Sequence, residues 1–218
     1  MRLSKRLKTI ADMVDDNYRV IDVGCDHGLL DIYLTMNDIE CVAIDNKESV
    51  LKYSRKNINE YGLSDKIKLL HNDGLENINI NNNDLIILAG LGTNTILNVI
   101  KNKNVGQMIV QSNDDVYNLR LNLLNQGYKI IAEKIVYEKK YYVIIKWVKG
   151  KAKYNQAQLK YGPLLLKEKS KEFVNYLKDR KKYLEDLLNT IPNKFMIRKL
   201  KVLIEIYRIK AILKWYRF

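Results

Sequence analysis

The chain has 218 residues, enough for one well-cored domain with a small appendage and too few for two full-size domains. Hydrophobic residues make up 47%, which excludes global disorder, and no apolar run approaches a membrane span, so a soluble cytoplasmic protein with no membrane partner is expected. The net charge of +13 is unevenly placed: residues 1–150 hold 20 Lys/Arg against 19 Asp/Glu, whereas residues 151–218 hold 18 against 6. An excess confined to the last third points to an acidic polymer, nucleic acid before membrane. Cys25, Cys41, His27 and His71 lack metal-ligand spacing, so reduced thiols and no metal are expected.

In chain order, Leu3, Leu7, Ile10, Ala11 and Val14 predict a helix over 3–14. A buried strand follows at 19–24, a helix at 28–37, a strand at 41–45, and a helix over 47–61 closed by Gly62. Further strands are expected at 66–70, 84–89 and 107–111, with a helix at 114–126 closed by Gly127. Two long strands, 128–138 and 141–148, have only Lys139-Lys140 between them and must be antiparallel. The alternation predicts an α/β fold with a mostly parallel, doubly wound sheet ending in an antiparallel hairpin. That ending departs from the dinucleotide-binding plan and resembles class I methyltransferases with their Rossmann-like sheet.

Beyond Gly150 the pattern changes. Leu166, Phe173, Leu177, Leu184, Leu187 and Ile191 predict one helix over 163–191, with Ser170 and Arg180 filling gaps in the rhythm. Pro192 ends it. Ile197, Leu200, Ile204, Tyr207 and Ala211 predict a second helix that folds back as an antiparallel coiled-coil hairpin. The expected organisation is therefore a sheet domain over 1–150 and a basic helical domain over 151–218. Tyr176, Tyr183, Tyr207, Trp215 and Tyr216 are available for base stacking, although helical spacing favours packing for most of them.

Chemistry concentrates at strand ends. The first strand runs into Asp22-Val23-Gly24-Cys25-Asp26-His27-Gly28, where glycine lets a ligand approach the backbone. The pattern is not a full dinucleotide fingerprint, which weakens a nicotinamide oxidoreductase reading. Asp45, followed by Asn46, ends the second strand, where an acid accepts hydrogen bonds from ribose hydroxyls. Asn72-Asp73-Gly74 follows the third. Each feature alone is equally an ordinary turn or a solvated aspartate. Three acids at the carboxyl ends of successive strands around one crevice form a stronger signal. Ala89-Gly90-Leu91-Gly92 ends the fourth strand and leaves room for a flat base. Gln111-Ser112-Asn113 ends the fifth and offers amide and hydroxyl groups.

These residues resemble the bacterial tRNA adenine-N1-methyltransferases of the TrmK family. The resemblance covers nearly the whole chain. It rests on Leu3-Ser4-Lys5-Arg6-Leu7, the Asp22–His27 turn, Asp73-Gly74-Leu75, Ala89-Gly90-Leu91-Gly92, Gln111-Ser112-Asn113, Leu119-Arg120 and Tyr161-Gly162-Pro163. The family often has Ser-Asp-His-Ala where Cys25-Asp26-His27-Gly28 stands, Ala-Gly-Met-Gly-Gly around Leu91 and Thr93, and Gln-Pro-Asn at Ser112. The resemblance implies S-adenosylmethionine as cofactor and methylation of adenine N1 at tRNA position 22, with the helical tail aiding tRNA binding. It implies cofactor contacts from Asp22, Gly24, Cys25, Asp26, His27, Asp45, Asn46, Asn72, Asp73, Gly74, Ala89 and Gly90. Asp26 is the expected carboxylate beside the base, with His27 as its alternative, and Gln111 or Asn113 holding the base edge. Arg6, Leu91, Gly92 and Ser112 fall on the substrate side, Arg6 directed towards a phosphate. A monomer is expected. A non-catalytic RNA-binding module on the same fold, or a methyltransferase with another acceptor, remains the alternative.

Overall fold

The computed structural model describes residues 1–215; Tyr216, offered above for stacking, lies outside them. The elements are α1 (Lys5–Ala11), β1 (Arg19–Val23), α2 (Leu29–Thr35), β2 (Cys41–Asp45), α3 (Glu48–Glu60), β3 (Ile67–His71), β4 (Asp84–Leu91) and α4 (Thr93–Ile100). They continue with β5 (Gln107–Ser112), α5 (Val116–Asn125), β6 (Tyr128–Glu138), β7 (Lys140–Lys149), α6 (Gln156–Tyr161), α7 (Pro163–Glu168), α8 (Lys171–Thr190) and α9 (Met196–Lys214). The seven strands form one sheet in the order β3-β2-β1-β4-β5-β7-β6. The first five pair in parallel, and β7 runs antiparallel to both β5 and β6. The strand order reverses at β1 and β4, so the carboxyl ends of those strands open the crevice where ligands bind in such sheets.

The central strands are buried on both faces, as parallel strands sandwiched by helices must be. Ile21, Ile44, Ile86, Leu88, Met108 and Val110 pack under α4 and α5 on one face, while Val20, Leu85, Ile87 and Ile109 pack with α1 and α2 on the other. Ser4 caps α1, its hydroxyl accepting from the Leu7 amide at 3.3 Å. This fixes the helix start and the direction of Arg6 one turn in. No sequence signal above marks α4: Thr, Asn, Ile and Val are weak helix formers, and tertiary packing of Ile96 and Ile100 decides it.

The chain divides into two compact units, residues 1–164 and 165–218, rather than at Gly150. Segment 151–164 stays with the sheet because a buried ion pair holds it. Arg120 Nε donates to Glu133 Oε1 at 2.9 Å, and Arg120 Nη1 donates to the Leu159 carbonyl at 3.1 Å. Glu133 Oε2 accepts from the Leu164 amide at 2.9 Å. Gly162 sits against this pair at φ +97°, and a Cβ there would lie 2.8 Å from Glu133 Oε2. Only glycine fits.

In the second unit, the single helix expected over 163–191 is broken. Lys169 adopts φ +54°, and Ser170 caps α8 by accepting from the Phe173 amide. The serine read as a gap in the repeat is a helix start. Phe173, Leu177 and Leu184 are buried in α8 as the repeat predicted. The register of α9 differs from expectation. Its buried positions are Glu205, Ile206 and Ile209, whereas Ile197, Leu200, Ile204 and Tyr207 are exposed. This helix is apolar around most of its circumference, so periodicity alone could not choose the inward face. Lys210 bridges to Glu185 at 3.3 Å across the α8–α9 contact. Tyr183, Tyr207 and Trp215 are exposed rather than packed; Tyr176 stacks on Phe173 with centroids 6.3 Å apart. No helix among the described residues is long and apolar enough to cross a membrane.

Candidate active site

A cavity of about 560 Å³ opens at the carboxyl ends of β1, β2, β3 and β4. All twelve residues expected to contact the cofactor line it, from Asp22 through Gly90. The turn after β1 is built to expose backbone. Gly24 has φ +80°, and its amide and that of Cys25 both donate to the Ile44 carbonyl, tying the turn to β2. Asp26 follows in the left-handed region at φ +51°, which aspartate tolerates better than most residues. Two side chains from α3 clamp the turn from outside: Ser54 donates its hydroxyl to the Asp26 carbonyl, and Asn57 Nδ2 donates to the His27 carbonyl at 2.9 Å. The Asp26 side chain is 73% exposed at the rim, with His27 Nε2 at 3.6 Å.

Asp22 is the electrostatic centre. It is buried, lines the cavity, and forms no hydrogen bond to another described side chain. Burial pushes its carboxyl up to about 7, with Arg6 opposing and Asp45 adding to the rise. Behind it in α2 lies Asp31, fully buried, with neither carboxylate oxygen hydrogen-bonded. Burial first, then the Asp22 charge, hold the Asp31 carboxyl well above the ordinary range. A cationic group placed in the cavity would reverse the balance at Asp22. Asp45 ends β2 and accepts from the Lys47 amide at 3.0 Å. Asn72 folds the turn after β3, donating to the Gly74 and Glu76 carbonyls at 3.0 and 2.9 Å. These residues fit S-adenosylmethionine: a buried carboxylate facing the cavity for its ammonium, a strand-end acid for its ribose, and a glycine turn beside them.

The substrate side divides differently from expectation. Arg6, Leu91 and Asn113 line the cavity; Gly92, Ser112 and Gln111 do not. Gly92 precedes α4 as its cap. Ser112 is buried, its hydroxyl bonded to Thr93 Oγ1 and Asp114 Oδ1 at 2.9 Å each. Asp114 is held down to about 2 by the Thr93 amide and the Thr93 and Ser112 hydroxyls, which makes this cluster a structural fastening. Gln111 is fully buried beneath the wall. Its Oε1 accepts from Arg6 Nη1 at 2.9 Å, and its Nε2 donates to the Ser112 carbonyl and Asn113 Oδ1 at 2.8 and 3.2 Å. Asn113 Nδ2 donates to the Gly90 carbonyl at 2.6 Å. The Gln111 amide is thus committed to protein partners and does not present a base-reading edge. Lys140 and Tyr142, at the start of β7, line the cavity and were not anticipated. Nothing local marks them; only strand order brings β7 beside β5.

The fold, the reversal point and the acid-lined cavity define a methyltransferase domain, and residues 3–145 match the family described as such. The tRNA (adenine(22)-N(1))-methyltransferase of Bacillus subtilis is 29% identical over 204 residues, spanning 87% of this chain and 83% of that protein. The structure of Mycoplasma capricolum TrmK with S-adenosylhomocysteine matches at 31% identity and TM-score 0.83, covering 99% of this chain and 98% of that one. Streptococcus pneumoniae Sp1610 matches at 30% identity and TM-score 0.89 over 97% of this chain and all of that one. A structure of Sp1610 with S-adenosylmethionine matches at TM-score 0.86. The chain belongs to the TrmK family.

Proposed function

We propose that the protein transfers a methyl group from S-adenosylmethionine to N1 of adenine 22 in tRNA, the acceptor named for its Bacillus relative. The observation that carries this reading is the buried Asp22, lining a cavity with Asp45 and Asp73, on a chain whose remaining unit is strongly basic. Residues 165–218 hold 15 Lys/Arg against 6 Asp/Glu. Such a field attracts and orients RNA over distances comparable with the Debye length.

When bound, the cofactor supplies a sulfonium-activated methyl group. The protein's task is then positioning and water exclusion. Asp22 takes the ammonium, Asp45 the ribose hydroxyls, and the Asn72–Gly74 turn the adenine edge. Ala89, Gly90 and Leu91 form the floor on which the target base lies. Adenine N1 is engaged in pairing within a stem, so the base enters unpaired or extruded. Methylation leaves positive charge on the ring, and the carboxylate assigned to stabilise it in this reading is Asp26, exposed with His27 beside it. The test is mass spectrometry of nucleosides from tRNA incubated with protein and S-adenosylmethionine. Appearance of 1-methyladenosine is expected. Methylation at another atom, or of protein alone, overturns the reading.

A further inference from the structure

The cavity wall is divided by charge. Its acids follow β1, β2 and β3, where Lys47 also lines the wall, while on the β4 side two further cations approach: Arg6 from α1 and Lys140 from β7. Both lie on the same aromatic ring. Arg6 Cζ is 5.6 Å and Lys140 Nζ 5.0 Å from the Tyr142 centroid. Among the described residues, neither cation has a carboxylate oxygen within ion-pairing distance. The Asp22 and Glu138 carboxylates act on Arg6 through space without forming an ion pair with it, and an anion seated between the two cations would relieve their mutual repulsion.

Arg6 does not wander. Its Nη1 is held by Gln111 Oε1, and Gln111 is itself fixed by Ser112 and Asn113. The Arg6 amide donates to Glu138 at 3.1 Å, which ties the helix start to β6. At Gly90, a Cβ would lie 3.4 Å from Arg6 Nη1, so the guanidinium rests directly on the floor residue. A planar fork aimed this way retains donors for a bidentate oxyanion.

Resting on the RNA methyltransferase reading above, we propose that Arg6, Lys140 and Tyr142 form the subsite for the target nucleotide's phosphodiester, and that Gln111 is the positioning residue that aims Arg6. The three acids after β1, β2 and β3 repel a phosphate and favour this rim as its seat. Lys140 is exposed, at the mouth, where a polymer backbone passes. Gln111 acts through Arg6 and not by reading the base.

The test compares the full-length protein with Lys140→Gln, Arg6→Lys, Arg6→Ala, Gln111→Met and the Arg6→Ala/Gln111→Met double variant. Calorimetry with S-adenosylhomocysteine reports the cofactor side, and tRNA methylation kinetics over a salt series report the RNA side. Cofactor affinity is expected to stay within twofold. KM for tRNA should rise several-fold in each single variant. The salt slope of tRNA affinity should flatten by about 0.7–0.9 in Lys140→Gln and in Arg6→Ala, each of which removes one cation. The double variant should lose no more than Arg6→Ala alone, because Gln111 works only through Arg6. A tenfold loss of cofactor affinity in the Arg6 variants would assign Arg6 to the cofactor carboxylate and overturn the proposal. So would an unchanged salt slope, or additive losses in the double variant. If Gln111→Met does not fold, Lys140→Gln and Arg6→Ala decide the phosphate subsite by the same readouts, and Gln111→Glu, which keeps the acceptor, decides the positioning role. Wild-type protein that forms no 1-methyladenosine in tRNA would instead refute the reading on which the proposal rests.

Discussion

The two units place their charge in opposite ways. In residues 1–164, chemistry is concentrated: a few side chains at strand ends share one cavity, and a charge placed wrongly there has a large effect. In residues 165–218, charge is dispersed along helices, and no single lysine stands out. A site of the first kind binds a small molecule with defined geometry. A surface of the second kind attracts a polyanion additively, with each contact worth little and salt weakening all of them together. The difference predicts that the two binding events are separable.

The largest test of that separation is removal of residues 170–218. Affinity for tRNA should fall on the order of 100-fold at moderate salt, with a flatter salt dependence. Cofactor affinity should change less than twofold. A cut at Gly150 should behave differently, because it removes the Leu159 carbonyl and Leu164 amide that complete the buried Arg120–Glu133 pair. That shorter chain is expected to unfold, as thermal melts would report. Equal tRNA binding by the 1–169 chain and the full protein would place the RNA surface on the sheet unit alone.

Within the cavity, Asp45→Ala should weaken cofactor binding about 10–100-fold, the loss of about 1.5–3 kcal/mol expected for charge-assisted hydrogen bonds. Unchanged calorimetric affinity would remove Asp45 from the ribose site. Asp26→Ala should reduce turnover more than cofactor affinity, since its role grows as charge develops on the base. Equal losses in both would recast Asp26 as a cofactor ligand.

These expectations show what the sequence carried. The acids were legible because a parallel sheet puts successive strand ends at one edge, so Asp22, Asp45 and Asp73 could be assembled from spacing alone. The burial of Gln111 was not legible because a strand-end amide looks the same whether it faces a ligand or a neighbouring side chain. Its partner Arg6 lies 105 positions earlier. Lys140 and Tyr142 were invisible for the same reason: their place in the wall depends on β7 inserting between β5 and β6. In the helical unit the charge was plain, but the inward face of α9 was not, since apolar residues lie on more than one side. The break at Lys169 needed backbone conformation, not composition.

Gly162→Ala is a smaller perturbation with a local cause. The added methyl enters at φ +97° and meets Glu133 and Arg120 at under 3.0 Å. Left-handed strain of about 1–2 kcal/mol adds to disturbance of a buried ion pair, whose outright disruption costs about 3–5 kcal/mol. A loss between these two figures, read by denaturant unfolding, is expected. Cofactor affinity should be spared in the fraction that remains folded. A neutral result would mean that segment 155–164 is held elsewhere.

The smallest effect is one of pH. Asp22 has a folded-state value raised by burial to about 7, above its ordinary 3.8. Stability from such a group is fully present below the unfolded value and is lost as pH rises through the folded one. Without ligand, the protein should therefore lose stability between about pH 4 and 7 from this group, and Asp31 behind it acts in the same direction. The cofactor ammonium favours the ionised carboxylate, so binding below pH 7 must expel a proton. Affinity should climb with pH, at most about tenfold per unit, and level off near pH 7. The charged groups facing Asp22 are Arg6, Asp31 and Asp45. Calorimetry of S-adenosylhomocysteine between pH 5.5 and 7.5, in buffers of different ionisation enthalpy, measures both the slope and the released proton. Asp22→Asn should bind more weakly and lose both. A slope that survives in Asp22→Asn would move the titration to Asp31, and a flat wild-type profile would mean that Asp22 is already ionised without its ligand.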